Sequence, residues 1–350
     1  MTLAEARALF PVLERVAYLN AGTFGPLARP TLEAMQAELA ADGERGRAGA
    51  EYFERVLDLR ERARAGLAAL VGAEPAQVAL TGSTTDGCNI VIAGLGLGAD
   101  DEVVTTTDEH FGLLGPLHAS GARVVVVQPD PDAIAAAVTP RTRLLALSQV
   151  LWTTGRELPV RELRERTGVP VLVDGAQSVG AVPVDAAGLD FLTISGQKWL
   201  CGPDATGALV VADPDRLRVA RPSYFAQTSY EPAGAFVAKE GAARFDPGWL
   251  GAASLAGLLA ALDVRPSWWH EHAHAAAERL RERLAAHVEV EPGDATLVAF
   301  RDDDPPARVA ALAERGVVVR EIPRTGLVRA SCGWWTSDDD LDRLLAGVAA

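Results

Sequence analysis

The sequence predicts an α/β chain, with a large doubly wound domain on a mostly parallel seven-stranded sheet and a smaller α+β domain after it. Three observations predict this. Seven short runs rich in Val, Leu and Ile recur between residues 77 and 213, with helical or turn-forming sequence between them. The runs are nearly all apolar rather than alternating, as strands buried on both faces must be. The last third changes character, with Ala/Arg/Glu-rich stretches around two further strand candidates.

Taken in order, "QVAL" (77–80) is a strand, followed by a turn and a helix from about Thr85 to Ala93. "DEVVTT" (101–106) and "ARVVVVQP" (122–129) are the next strands, and "PDAIAAAV" is a helix leading to "TRLLALSQV" (142–150). "VPVLVDG" (169–175), "FLTIS" (191–195) and "GALVVAD" (207–213) complete the set. Strand–helix repetition of this kind builds right-handed crossovers around a parallel sheet. Beyond it, "SLAGLLAALDV" and residues 268–287 are predicted helices. The strands "TLVAF" (296–300) and "GVVVRE" (316–321) flank a helix at 305–315, and "DDDLDRLLAGV" forms a last helix with acidic residues in its first turn. The expected division is 17–248 for the large domain, with 1–16 and 249–350 forming the small one.

Composition narrows the function. The chain has 350 residues, 49% apolar and 23% charged, enough for two domains and a large core. A net charge of −14 argues against nucleic acid or an anionic membrane as partner. No apolar run approaches the roughly 20 residues that span a bilayer, and the N-terminal stretch lacks the pattern of a signal peptide. Cys88, Cys201 and Cys332 are scattered and odd in number, which suggests free thiols in a reducing cytoplasm.

One stretch stands out. "SGQKWLCGP" (195–203) holds Lys198, one of only two lysines, in a chain whose other basic residues are all Arg. Arg stays protonated, whereas a desolvated Lys can become a neutral amine that attacks a carbonyl. Ligands of open α/β sheets sit at the carboxyl ends of the strands, and the polar residues of this chain fall there. "TGSTTDG" follows the first strand and leads into a helix whose N-terminus suits either a phosphate or a simple Thr84 or Thr85 cap. "DGAQ" places Asp174 at a strand end, as a cofactor ligand or a salt-bridge partner, with Gln177 one turn on. A Lys, an Asp and a phosphate cup on neighbouring strand ends match what pyridoxal phosphate requires.

"VLVDGAQSVG" followed by the Lys of "SGQKWLCGP" resembles the class V aminotransferase family of fold-type I pyridoxal-phosphate enzymes. "YLNAGTFGPL" (18–27), containing Asn20 and Gly22, resembles its N-terminal active-site segment, and "TGSTTDGCN" its phosphate loop. "DEHFGLL" resembles the segment whose His stacks on the cofactor ring, and "VRASCGWWTSDDDLDRL" the one whose Arg binds the substrate α-carboxylate. The resemblance implies that Lys198 carries the cofactor as a Schiff base, Asp174 pairs with its ring nitrogen and Gln177 with its 3-hydroxyl. It further implies that Thr84, Thr85 and Ser195 hold the phosphate, that His110 stacks on the ring, that Arg329 binds substrate, and that the protein is a homodimer. Three departures make the pocket more apolar: Gln197 stands where His is usual, Trp249 in "RFDPGW" where a Thr reaches the phosphate of the other subunit, and Trp152 where an Asn is common.

The reaction is constrained by what is missing. Cysteine desulfurases carry a nucleophilic Cys shortly before the carboxylate-binding Arg, but "GVVVREIPRTGL" contains none. "TTDGCNI", "SQVLWTTGRELPV", "KWLCGP" and "VRASCGWWT" resemble the L-cysteine/cystine C–S lyases, which imply β-elimination from an amino-acid substrate. Transamination and epimerisation remain alternatives, since all share the first proton transfer. In those lyases, arginines at the positions of Arg320 and Arg329 receive substrate carboxylates, and the turn "IPRTG" would bring both to one side of the pocket. The alternative is that Arg320 pairs with Glu321 or a nearby Asp. "HEHAH" (270–274) matches a short zinc-protease pattern but has no third His at the right spacing, so no metal is expected. Lys239 is read as surface charge, and the pairs Trp268-Trp269 and Trp334-Trp335 as packing.

Overall fold

A computed structural model describes Met1 to Ala349. The chain enters through α1 (Leu3–Ala8) and the short β1 (Ala17–Tyr18), then two long helices, α2 (Arg29–Arg45) and α3 (Gly49–Leu70). The strand pattern says nothing of these helices, which precede the first predicted strand. The central run follows as β2 (Val78–Thr81), α4 (Thr84–Leu95), β3 (Glu102–Thr106), α5 (Phe111–Ala119), β4 (Arg123–Val127), α6 (Pro131–Ala136) and β5 (Thr142–Ser148). It continues through α7 (Val160–Thr167), β6 (Val171–Asp174), β7 (Phe191–Ser195) and β8 (Gly207–Val211). The last third holds α8 (Ala252–Asp263), α9 (Trp269–Leu284), β9 (Leu297–Arg301), α10 (Pro305–Glu314), β10 (Val317–Val318), β11 (Arg320–Ile322), β12 (Leu327–Ser331) and α11 (Asp338–Val348).

The seven predicted strands form one sheet in the order β2-β8-β7-β6-β5-β3-β4, parallel except that β8 runs against both neighbours. Their all-apolar character follows from burial on two faces. Val171, Val173, Leu192 and Ile194 face a core with Leu59 and Leu67 of α3 and Leu255 of α8. Leu172, Phe191 and Leu209 face the opposite core with Val91 of α4 and Leu113 of α5. The run "VVVV" is the exception: β4 is an edge strand, and Val126 is 46% exposed. Hydrophobicity alone does not separate an edge strand from a central one, because a Val ladder satisfies either position.

The last third differs from expectation in two ways. "GVVVRE" is not one strand but two: β10 pairs in parallel with β1, while β11 joins β12 and β9 in an antiparallel three-stranded sheet. Packing also follows another line than a division at 16/17 and 248/249. Ala17 and Leu19 lie in the C-terminal core with Leu280, Phe300 and Leu344, whereas Leu255 and Leu258 of α8 belong to the core of the large sheet.

Candidate functional site

The loops that leave the carboxyl ends of β2, β3, β5, β6 and β7 converge with the β11–β12 hairpin, and the turn formed by residues 20–25 ties them together. Within that turn, Gly22 N–H donates to Ser331 Oγ (3.1 Å) at the end of β12, and Gly25 N–H donates to the carbonyl of Gln197 (2.8 Å) beside Lys198. Gln177 Nε2 donates to the carbonyl of Gly22 (2.8 Å), and Trp199 Nε1 donates to Gln177 Oε1 (2.9 Å). The buried Trp199 thus fixes the Lys198 loop to the loop after β6. Gly25 is required for this closeness, since a Cβ there would lie 2.1 Å from the carbonyl oxygen of Lys198.

Asp174 ends β6 and is buried; its Oδ1 accepts from Ala176 N–H (3.0 Å) and Thr193 Oγ1 (3.3 Å), which leaves Oδ2 for another donor. Burial pushes the Lys198 amine down to about 8; Asp174 opposes the shift, while Arg329 and Arg320 add to it. Those four charges therefore share one site. Ser195 Oγ donates to Gln197 Oε1 (3.0 Å), so the Gln197 side chain has only its amide N–H groups to offer. Ser83 caps α4 by accepting from Asp86 N–H (3.1 Å), not Thr84 or Thr85, which open the helix as its first residues. Backbone N–H groups in a first helical turn lack intrahelical partners, so both threonines stand where an anion is favoured.

His110 caps α5, its Nδ1 accepting from Gly112 N–H (3.1 Å), which puts the ring proton of the neutral tautomer on Nε2. Burial, then the Lys198 charge, lower its pKa to about 4, so the imidazole is neutral at pH 7. Gly112 lets α5 start against α4: a Cβ there would sit 2.5 Å from Thr85 Oγ1. The Trp152 ring packs edge-on against His110 at 5.0 Å.

The turn between β11 and β12 reverses the chain as predicted, making Arg320 and Arg329 cross-strand partners. Arg329 is fully buried; its Nη1 donates to the carbonyl of Trp152 (2.6 Å) and its Nε has no partner among the described residues. Burial, then repulsion from Arg320, push its pKa down to about 9, so it remains cationic at neutral pH. Arg320 Nε donates to the backbone carbonyl of Glu321 (3.0 Å) rather than to a carboxylate, and its guanidinium lies 6.0 Å from the Trp152 ring centre. The surface-pairing alternative for Arg320 does not hold.

Three residues escaped the sequence reading. Thr23 donates to Asn20 Oδ1 (2.8 Å) and accepts from both Arg320 Nη1 (3.3 Å) and Arg329 Nη2 (3.5 Å). It lies in the same short segment as Asn20 and Gly22, but nothing local announces a partner some 300 residues away. Glu109 joins the ends of β3 and β5 by accepting from Thr106 Oγ1 (2.9 Å) and Ser148 Oγ (2.6 Å), and so holds His110 in place. Asp246, in "RFDPGW", is buried against Arg60 and Arg64 and accepts from Leu80 N–H (2.9 Å), bracing the strand that leads to the phosphate-loop candidate. Trp249 itself packs against Phe53 and Phe225 and is 56% exposed, away from the Lys198 cluster. Among the described residues no group of three His, Cys, Asp or Glu is placed to hold a metal, and no helix is long and apolar enough to cross a membrane.

A seven-stranded sheet with a lysine, a carboxylate and a helix N-terminus at its carboxyl edge is the architecture of fold-type I pyridoxal-phosphate enzymes. Residues 17–344 match the family model described as Aminotransferase class-V, and the chain belongs to that family. In solved structures it resembles the cystine C–S lyase C-DES in complex with its reaction product cysteine persulfide, at 29% identity and a TM-score of 0.91 over 97% of this chain and 99% of that one. A second C-DES structure, a mutant with glycine covalently linked to its PLP cofactor, matches equally well, over 98% of each chain. An isopenicillin N epimerase from Streptomyces clavuligerus is 33% identical over 65% of this chain, and that match spans 61% of the relative's length. A probable cysteine desulfurase from Methanothermobacter thermautotrophicus is 30% identical over 60% of this chain and 56% of its own.

Proposed function

We propose that this chain is a pyridoxal-phosphate-dependent C–S β-lyase that acts on cysteine, cystine or a cysteine S-conjugate and releases pyruvate, ammonia and a sulfur species. The observation that carries the reading is the hairpin. It presents two guanidinium groups on one wall, one of them fully buried with an unpartnered Nε, and has no Cys in its turn. A buried cation without an anionic partner is costly, and a substrate carboxylate would relieve that cost through a two-point grip.

The residues fit the cofactor. Lys198 offers an amine of lowered basicity, Asp174 Oδ2 suits the ring nitrogen, and Gln177 Nε2 keeps one hydrogen for the 3-hydroxyl. His110 supplies a neutral ring for stacking, while Thr84, Thr85 and the Gln197 amide provide donors toward the phosphate, with Ser195 holding Gln197 by its bond to Oε1. When bound, the cofactor supplies an electron sink for charge developing at the substrate Cα. Arg329 orients the α-carboxylate, with Asn20, Gly22 and Trp152 shaping its surroundings. Lys198 Nζ then takes the Cα proton; the Cβ–S bond breaks, and its electron pair leaves with sulfur. The released enamine hydrolyses to pyruvate and ammonia.

A desulfurase mechanism fits less well. Cys88, Cys201 and Cys332 are all buried, and burial raises every one of their thiol pKa values, Cys332 to about 12, so none offers a ready thiolate. The epimerase relative motivates a second reading, in which the Cα proton is returned to the opposite face. A substrate panel scored for pyruvate, sulfide species, keto acids and Cα inversion tests both readings. Pyruvate from cysteine or cystine is the expected result, and inversion or keto-acid formation without pyruvate would overturn the lyase.

This reading includes a homodimer in the cytoplasm. Tyr224, Tyr230, Phe236, Val237 and Trp249 leave a large apolar surface exposed, of the kind that marks an interface, and symmetric dimers are the commonest oligomer. Three free thiols suit a reducing compartment.

A further inference from the structure

We infer that Thr23 determines specificity: its hydroxyl sets the position of Arg320 relative to the fixed Arg329, and with it a preference for amino acids that carry a second carboxylate. The inference rests on the reading above, in which the two guanidinium groups receive carboxylates.

A hydroxyl has one hydrogen to donate and two lone pairs to accept. Thr23 uses all three, donating to Asn20 Oδ1 at 2.8 Å and accepting from Arg320 Nη1 at 3.3 Å and Arg329 Nη2 at 3.5 Å. Because the short bond to Asn20 fixes the hydrogen, the lone pairs must point at the two arginines. The bonds to the arginines are longer than the 2.7–3.2 Å usual for N–H···O. They are weak enough to yield to a carboxylate, which forms charge-assisted bonds at about 2.7–2.9 Å. Thr23 thus acts as a neutral placeholder between two cations.

The turn that carries it cannot drift. Thr23 N–H donates to the carbonyl of Asn20 (2.9 Å), and the neighbouring Gly22 is held by Ser331 on one side and Gln177 on the other. The hydroxyl therefore has a fixed position relative to both the hairpin and the Lys198 loop.

The two arginines do not depend on it equally. Arg329 is wholly buried and has a second anchor of 2.6 Å on the Trp152 carbonyl. Arg320 is only partly buried, and among the described residues its one side-chain hydrogen bond apart from its own neighbour's carbonyl is to Thr23. Loss of the hydroxyl should leave Arg329 in place and release Arg320 to solvent, so the second carboxylate is the one that suffers.

The test measures binding to the purified holoenzyme by calorimetry with two unreactive probes. L-2-aminoadipate and L-norleucine share a chain length, lack a leaving group at Cβ, and differ in the distal carboxylate. The wild type should favour aminoadipate. Thr23→Val should bind aminoadipate about tenfold more weakly, equivalent to about 1.4 kcal/mol, with norleucine little changed, and Thr23→Ser should restore the preference. Thr23→Ala, which also lacks the hydroxyl, should behave like Thr23→Val and serves if the valine variant is unstable. Retained discrimination in the valine or alanine variant, equal weakening of both probes, or failure of serine to rescue would overturn the role of Thr23. A wild type that binds the two probes equally would sink the two-carboxylate reading itself. Neither result depends on whether the enzyme cleaves C–S bonds.

Discussion

Replacing Gly22 with Ala isolates the placement of Arg329 with little else disturbed. Gly22 does not adopt a left-handed backbone conformation, so Ala fits the chain there without strain. The added methyl, however, would lie 2.7 Å from Arg329 Nη2, 3.1 Å from its Cζ and 3.0 Å from Leu297 Cδ2. The backbone cannot retreat, because Ser331 and Gln177 hold it from both sides. The guanidinium must move instead, by roughly 0.7 Å to regain ordinary contact, which strains its short bond to the Trp152 carbonyl. A misplacement of about 1 Å can cost about a hundredfold in rate, so kcat/KM should fall by tens-fold for every amino-acid substrate. Overpacking of this kind costs about 1–3 kcal/mol in stability, so the variant should fold with a lowered Tm. The assay is steady-state turnover beside thermal denaturation. A Gly22→Ala enzyme with kcat/KM within about twofold of wild type would refute the placement of Arg329 as the α-carboxylate ligand.

Lys198→Ala should abolish turnover while leaving the fold intact, and a variant with full activity would end the proposed mechanism. In the cofactor-free protein, Lys198 should react with pyridoxal phosphate increasingly as pH rises through about 8, because the neutral amine is the nucleophile and burial has lowered its pKa to that value; a rate that rises only near the ordinary lysine value would contradict this. Asp174→Asn should lower activity far more than Gln177→Ala, since hydrogen bonds to charged groups contribute roughly 1.5–3 kcal/mol against about 1 for neutral ones; similar losses would mean the roles are misassigned. Arg320→Ala should weaken turnover of dicarboxylate substrates about tenfold or more and spare small monocarboxylates, whereas Arg329→Ala should damage both. Light scattering should report a dimer that Trp249→Glu weakens, and a fully active wild-type monomer at assay concentration would exclude the dimer.

Much of this candidate site is legible in the sequence because its proposed chemistry is local. Each strand end carries its polar residue within a few positions of an apolar run, so Asp174, Lys198 and the threonines after β2 announce themselves through the contrast between buried strand and polar loop. The Arg pair was legible for the same reason: a Pro- and Gly-containing turn between two β-rich runs forces a hairpin, and the register followed. The composition likewise dictated two covered faces for the large sheet.

Tertiary structure decided what depends on the path of the chain. Whether a Val run lies at the centre or the edge is a matter of strand order, and β4 turned out to have a free side. "GVVVRE" was divided between two sheets because Ala17 and Tyr18, some 300 residues earlier, take Val317 and Val318 as partners. Asp246 meets Arg60 and Arg64 across more than 180 residues, and Thr23 meets Arg320 and Arg329 across about 300. Such contacts leave no periodicity or turn signal in the sequence, because a hydroxyl or carboxylate in a loop looks the same whether its partner is water or a distant guanidinium. Sequence patterns record how each segment meets its own neighbours and solvent; which distant charges meet is set only when the layers pack.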